Sequence, residues 1–226
     1  MTGAITWLTC DRADLPGSLD WLAADERARL DGLRIAKRRD DYLLGRWTAK
    51  RAIAARLAPS PPLEAIAIRA AGDGAPEAFL GGAPLPVVVT LSHSAGRALA
   101  AVRDAGAALG ADLERVEPRS QLLVDDFFTP GEAAQIAACP PALRDHAITL
   151  IWSAKESALK ALRCGLREDP RRVHVELGAG DPARDGGWVP LELAIAGAAR
   201  RLTGWWRDDV GHVLTIVGEA LLRPHA

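Results

Sequence analysis

Trp152-Ser-Ala-Lys-Glu-Ser-Ala-Leu-Lys160 decides how the chain is read. Ile148, Ile151, Ala154, Ala158 and Leu162 recur through it at three- and four-residue steps, which predicts a helix with one face in a core. Away from that stripe Glu156 and Lys160 stand one turn apart. Such a pair reads either as a helix-surface ion pair worth about 0.2–0.5 kcal/mol or as part of a site. The apolar surroundings, and a second acidic cluster some forty residues upstream, favour the site.

The stretch also has an echo. Trp47-Thr-Ala-Lys-Arg-Ala-Ile-Ala-Ala-Arg-Leu57 aligns on Trp152–Leu162 without gaps, and Gly96–Val102 echoes Gly211–Val217. The offsets are 152 − 47 = 105 and 211 − 96 = 115 residues, which predicts a duplicated unit of half the chain. The expected fold is α+β: two similar halves, residues 1–115 and 116–226, related by pseudo-twofold symmetry. Each half is expected to pack a small, mostly antiparallel sheet on a long helix, with the active site where the halves meet.

Between the two helices the pattern turns to β. Val87–His93, Arg97–Arg103 and Ala107–Glu114 are short apolar runs separated by Ser94-Ala-Gly96 and Asp104-Ala-Gly106, chemistry suited to a three-stranded meander. Further helices are expected over Asp20–Leu33 and Gly45–Leu57. Thr129-Pro-Gly-Glu132 opens another with a capping box. Strands are expected near Ile5–Leu8 and over Val173–Leu177, Val189–Ile195, Leu202–Trp206 and His212–Val217, with a loop over Gly178–Gly187.

Composition narrows the function classes. With 49% hydrophobic and 25% charged residues, 226 residues suffice for a sizeable core. No run of apolar residues reaches membrane-spanning length, so no membrane role is expected. Met1–Cys10 lacks a basic region followed by an apolar stretch, so no secretory signal is expected. Three scattered cysteines, Cys10, Cys139 and Cys164, fit a cytoplasmic protein better than a disulfide framework or a zinc site. A net charge of −1 argues against bulk nucleic-acid binding. Locally, residues 27–56 hold ten Lys/Arg against three acids, either a solvated helical face or an anion site.

Asp112 and Glu114 lie two apart near the end of the third predicted strand, so alternation sends both carboxylates to one face. Two carboxylates held together repel, and a hard divalent ion such as Mg²⁺ relieves the repulsion while sharing a substrate's phosphate oxygens. Glu156 offers a third. Ser92, His93 and Asp112 can be cast as a hydrolase triad, but no G-x-S-x-G elbow surrounds Ser92. Neither phosphate-cradling glycine loop, G-x-x-x-x-G-K-[ST] or G-x-G-x-x-G, occurs.

Taken in order, Leu91-Ser-His-Ser94, Gly110-Ala-Asp-Leu-Glu114 and Trp152–Lys160 resemble the signature of the 4′-phosphopantetheinyl transferases, in particular the longer, monomeric surfactin-type branch. The likeness spans roughly Asp25–Leu166. It implies an enzyme that takes coenzyme A and Mg²⁺ (or Mn²⁺), moves phosphopantetheine onto a serine of an apo acyl or peptidyl carrier protein, and releases adenosine 3′,5′-bisphosphate. By the resemblance, Asp112, Glu114 and Glu156 hold the metal. Glu156 accepts the serine proton and Lys160 neutralises the pyrophosphate. Arg29, Arg39 (or Arg38), Gly74, Ser92, His93, Lys155 and Lys160 bind coenzyme A. Many relatives carry Gly-Lys-Pro where this chain has Gly74-Ala-Pro76, so that lysine contact is missing. Phe127 and Phe128 stand either as core aromatics or as the carrier-docking patch. The alternatives are a catalytically silent binder of coenzyme A or carrier protein on the same fold, and a Mg²⁺-dependent phosphohydrolase.

Overall fold

A similar order, one strand, then helices, then a run of strands, occurs twice in the computed structural model, which describes residues 4–178, 180, 187–197 and 201–224. The chain divides into two compact units, residues 1–107 and 108–224. The first runs β1 (Thr6–Asp11), α1 (Ala24–Asp31), α2 (Ala36–Arg56), β2 (Ile66–Ala70), β3 (Pro76–Leu80), β4 (Ala83–Pro84), β5 (Val87–Ser94) and β6 (Arg97–Asp104). The second runs β7 (Leu109–Arg115), α3 (Gln121–Phe127), α4 (Pro130–Ala138), α5 (Arg144–Ala161), β8 (Val173–Glu176), β9 (Val189–Ile195), β10 (Arg201–Asp209) and β11 (His212–Gly218). The fold is α+β, as read from the sequence.

In the second unit one antiparallel sheet has the order β7-β11-β10-β9-β8. Helix α5 lies across it, burying Ile151, Ala154 and Ala158 among Leu191, Leu193, Val213 and Val217. In the first unit the hydrogen-bonded ladder is interrupted, giving β1-β6-β5 and β2-β3-β4, and α2 buries Ala49, Ala52 and Ile53 among Ile66, Val89, Ala100 and Val102. The hairpins β5–β6 and β10–β11 turn on equivalent pairs, Ala95-Gly96 (φ 49° and 81°) and Val210-Gly211 (φ 48° and 74°). Two consecutive left-handed residues are what a two-residue hairpin matched to strand twist requires.

One polar staple is repeated as well. Glu26, in the first turn of α1, pairs with Lys50 of α2, and its other oxygen accepts Ile68 N–H of β2 at 3.0 Å. Glu132, in the first turn of α4, pairs with Lys155 of α5 at 2.9 Å and accepts Val175 N–H of β8 at 2.9 Å. The spacings nearly match, 50 − 26 = 24 against 155 − 132 = 23 residues. All four side chains are buried. In each unit, then, a carboxylate bolts the short helix, the long helix and the first following strand together.

Three expectations need correction. The meander does not exist: β7 pairs with β11, not β6, so the strand bearing Asp112 and Glu114 belongs to the second unit. The division accordingly falls before β7, at 107/108, and not after it at 115/116. Helix α2 begins at Ala36, nine residues before the expected Gly45; its first turns carry charges in place of an apolar stripe and are supported by Lys37–Asp41 at 2.8 Å. Strands β2–β4 were not anticipated, and the 178–187 loop lies mostly outside the described residues. The Thr129–Glu132 capping box forms as read, with Thr129 N–H donating to Glu132 at 2.7 Å. No helix among the described residues is long and apolar enough to cross a membrane.

Candidate active site

The carboxylates of β7 meet α5 because Gly110 lets the two backbones touch. A Cβ built on Gly110 would stand 1.9 Å from Ser157 O and 2.6 Å from Ala161 N. Only glycine allows that approach. Two residues on, on the same face of the strand, buried Asp112 accepts the Lys160 ammonium at 2.7 Å, and Lys160 also donates to Ala111 O at 3.2 Å. Below this contact a hydroxyl cluster ties α5 to β11: Thr215 Oγ1 lies 2.9 Å from Ser153 Oγ and 2.7 Å from Ser157 Oγ. Lys160, expected to pair with Glu156, bonds the strand carboxylate of Asp112, and it reaches Glu156 through its charge.

Glu114, the next residue on that face, is held by Arg119, whose guanidinium donates at 3.0 Å to the carboxylate and at 3.1 Å to Arg115 O. Burial raises the Glu114 pKa, the Asp112 charge raises it further, and Arg119 opposes the rise. Burial likewise raises Glu156; Lys160 opposes, while Asp112 and Glu114 add to the rise. Three carboxylates therefore share one electrostatic neighbourhood with Lys160. Such a neighbourhood suits a proton acceptor tuned above ordinary glutamate.

The fit to a divalent ion follows from this donor set. Among the described residues no three His, Cys, Asp or Glu side chains converge into a ready-made metal cage. Mg²⁺ does not need one, since it commonly takes one or two carboxylates and completes its shell with water and substrate phosphates. Repelling carboxylates at the rim of the sheet, two of them with raised proton affinity, fit that open pattern.

The equivalent positions in the first unit lack these acids. Pairing β6 with β11 through their matched turns places Leu8 and Cys10 where Asp112 and Glu114 stand, and the helix alignment places Arg51 at Glu156. Arg51 donates to Cys10 Sγ at 3.4 Å. The first unit has instead a basic cleft of about 250 Å³, lined by Arg29, Arg38, Arg46 and His93 together with Tyr42 and Asp41. Buried Glu26 lies 3.5 Å from Arg46 at its side. Four cationic or protonatable groups around one opening favour a phosphate.

The individual residue expectations divide accordingly. Arg29 and His93 line the cleft. Ser92 does not, because strand alternation sends it to the face of β5 opposite Leu91 and His93. Arg39 is turned away, spending Nη1 on Leu30 O at 2.7 Å and Leu33 O at 3.2 Å, and Arg38 takes the place beside the cleft. Gly74 sits in the β2–β3 turn with φ +87°, which accounts for a glycine there without a ligand. Lys155 is fully buried, its ammonium committed to Glu132, Pro170 O (3.0 Å) and Val173 O (2.6 Å), so it has no route to coenzyme A. Phe128 is core, and Phe127 is half-buried against Trp152 with ring centroids 5.5 Å apart. Arg119 and Arg46 were missed; no periodic pattern marks them, and only the cation-rich count over 27–56 hints at Arg46.

Residues 108–185 match the family profile of the 4′-phosphopantetheinyl transferase superfamily. Among solved structures the chain is similar to holo-[acyl-carrier-protein] synthase from Neisseria meningitidis, with 18% identity and a TM-score of 0.40 over 49% of this chain and 95% of that one. It is also similar to Helicobacter pylori holo-[acyl-carrier-protein] synthase solved in complex with coenzyme A, with 14% identity and a TM-score of 0.36 over 48% of this chain and 96% of that one. No curated protein matches the chain.

Proposed function

We propose, from a chain whose residues 108–185 match the profile of the 4′-phosphopantetheinyl transferase superfamily, that this protein transfers phosphopantetheine from coenzyme A to a serine of an apo carrier protein and releases adenosine 3′,5′-bisphosphate. The observation that carries the reading is the grouping of Glu156, Lys160, Asp112 and Glu114 across α5 and β7, with Glu156 raised in proton affinity. One or two of the carboxylates of Asp112, Glu114 and Glu156, together with pyrophosphate oxygens and water, would hold a divalent ion, which when bound would supply positive charge to the pyrophosphate. Glu156 takes the proton of the attacking serine hydroxyl, and its raised pKa brings it closer to the pH at which it must give that proton up. The serine oxygen bonds to the β-phosphorus as the bond to the bridging oxygen breaks. Lys160, held at the site by Asp112, faces the charge that the bisphosphate leaving group gains. In the first unit, Arg29, Arg38 and His93 are assigned to the 3′-phosphate of coenzyme A. A chain that carries both copies of the repeat is proposed to act as a monomer in the cytoplasm, with Cys10, Cys139 and Cys164 as thiols.

Intact mass spectrometry of apo acyl and peptidyl carrier proteins, incubated with the protein, coenzyme A and Mg²⁺, tests this directly. The expected result is a gain of one phosphopantetheine per carrier, abolished by a chelator. Coenzyme A hydrolysis with no mass gain on any carrier would overturn the transferase reading in favour of a phosphohydrolase.

A further inference from the structure

Three hydroxyls, Thr215 of β11 with Ser153 and Ser157 of α5, form one set of hydrogen bonds between helix and sheet. Thr215 Oγ1 donates to Ser153 O at 3.0 Å, which leaves its lone pairs to accept the Ser153 hydroxyl at 2.9 Å and the Ser157 hydroxyl at 2.7 Å. The Ser157 hydroxyl also reaches Thr215 O at 3.2 Å. All three side chains are fully buried, so bulk solvent does not compete for these bonds. The strand fixes where they act. Thr215 is the Cα partner of Asp112 in the β11–β7 ladder, and directly opposed residues send their side chains to one face. On the helix, Ser157 follows Glu156 and stands three residues before Lys160. Helix and sheet are therefore registered at two neighbouring points: Thr215 on Ser153 and Ser157, and Asp112 on Lys160 at 2.7 Å. The apolar contacts of Ile151, Ala154 and Ala158 resist separation of the layers, but they are non-directional and do little against sliding. Hydrogen bonds, which need a set distance and angle, do resist it.

The first unit supplies the comparison. Its ladder pairs Leu8 with Ala100 as Asp112 pairs with Thr215, and the helix alignment places Thr48 at Ser153 and Ala52 at Ser157. Thr48, Ala52 and Ala100 are fully buried as well, and Thr48 spends its hydroxyl on Leu44 O of its own helix at 2.8 Å. The same helix-on-sheet layer thus packs without the hydroxyl clamp in the unit whose strand carries Leu8 in place of a carboxylate. Packing alone does not call for the clamp; it accompanies the acidic face.

We propose that Thr215 is a positioning residue: with Ser153 and Ser157 it locks the axial register of α5, and so sets Glu156 and Lys160 against Asp112 for transfer. This rests on the transferase reading above and names what holds its reacting groups in place. A displacement of about 1 Å is enough to cost about a hundredfold in rate.

The test measures single-turnover transfer by intact mass, coenzyme A affinity by titration calorimetry, and Tm, all on the full-length protein. Thr215→Val keeps the shape and removes the hydroxyl. Thr215→Ala with Ser157→Ala rebuilds the first unit's pair and lets Ser153 turn to its own helix as Thr48 does, so it serves where the valine variant fails to fold. Each folded variant is expected to transfer about tenfold to a hundredfold more slowly, with coenzyme A affinity within about twofold of the parent. A merely structural loss would lower the rate only in step with the folded fraction. Thr215→Ser keeps the hydroxyl and is expected to recover the rate to within about threefold. The proposal is overturned if a folded variant transfers within about twofold of the parent, if rate and coenzyme A affinity fall together, or if Thr215→Ser does not recover the rate. No mass gain with the parent would sink the transferase reading alone, and positioning is then read from chemical denaturation. The stability lost on Lys160→Met is expected to be about half or less in the Thr215→Ala/Ser157→Ala background, where the Asp112 contact is already loosened. Additive losses there overturn the positioning.

Discussion

Replacing Lys155 by methionine separates two roles for this lysine within the Trp152–Lys160 motif. The ammonium is fully buried and serves Glu132, Pro170 O and Val173 O together. Burial pulls its pKa down and Glu132 partly restores it, so the charged form is held by that carboxylate. Methionine fills most of the volume but strands the Glu132 carboxylate, 1% exposed, and leaves two carbonyls without this donor. Breaking a buried ion pair on one side costs about 3–5 kcal/mol. At about 2–4 °C per kcal/mol for a chain of this size, that is a fall in Tm of about 6–20 °C. Chemical denaturation gives the free energy, and isothermal titration gives coenzyme A affinity in the folded fraction. Adding Glu132→Gln relieves the stranded charge, so the double variant is expected to lose less than the sum of the singles by about 1–3 kcal/mol. Should Lys155→Met stay within about 1 kcal/mol of the parent while coenzyme A affinity collapses, the staple account is wrong and the lysine is a ligand contact after all.

Gly110→Ala forces a Cβ onto the α5 backbone, so β7 and α5 must part; a loss of about 1–3 kcal/mol is expected by denaturation, with transfer falling further than stability explains. In the first unit, Arg38→Ala or His93→Ala is expected to lower kcat/KM for coenzyme A about tenfold to a hundredfold, on the scale of one charged hydrogen bond, and to leave 3′-dephospho-coenzyme A unaffected; equal losses on both would remove the phosphate assignment. In the metal-free protein Glu156 has a raised folded pKa, so its carboxylate form is reached late on titration. By the same sign, protonated Glu156 favours the fold. Stability tied to it is present below its unfolded pKa and lost as pH rises through the folded one, so Tm of Glu156→Gln minus parent should grow with pH across that window.

Much of this was legible because two periodicities are strong. The helix stripe from Ile148 to Leu162 and the alternation that pairs Asp112 with Glu114 each follow from backbone geometry alone. The duplication was visible in Trp47–Leu57 against Trp152–Leu162, and the staple confirms it at atomic level through Glu26–Lys50 and Glu132–Lys155. Strand pairing was not legible. Val87–His93, Arg97–Arg103 and Ala107–Glu114 read as one meander because local turn chemistry says where strands end, not which sheet they join; long-range pairing with β11 claims β7. Lys155 was misassigned for a related reason: its neighbours Pro170 and Val173 lie fifteen and eighteen residues on, beyond any helix-face pattern. Arg39 failed by one residue, since α2 starts at Ala36 and the register of that turn decides which arginine faces the cleft.

The central claim is that chemistry resides in the acidic face of α5 and β7, with Glu156 as proton acceptor. The most direct measurement is the single-turnover rate of phosphopantetheine transfer by Glu156→Gln, read by intact mass, beside its Tm and coenzyme A affinity. With the fold and coenzyme A affinity retained, the predicted rate is lower by about a hundredfold or more, the scale of a lost general base. A Glu156→Gln enzyme that folds, binds coenzyme A and transfers at the parental rate would contradict the account.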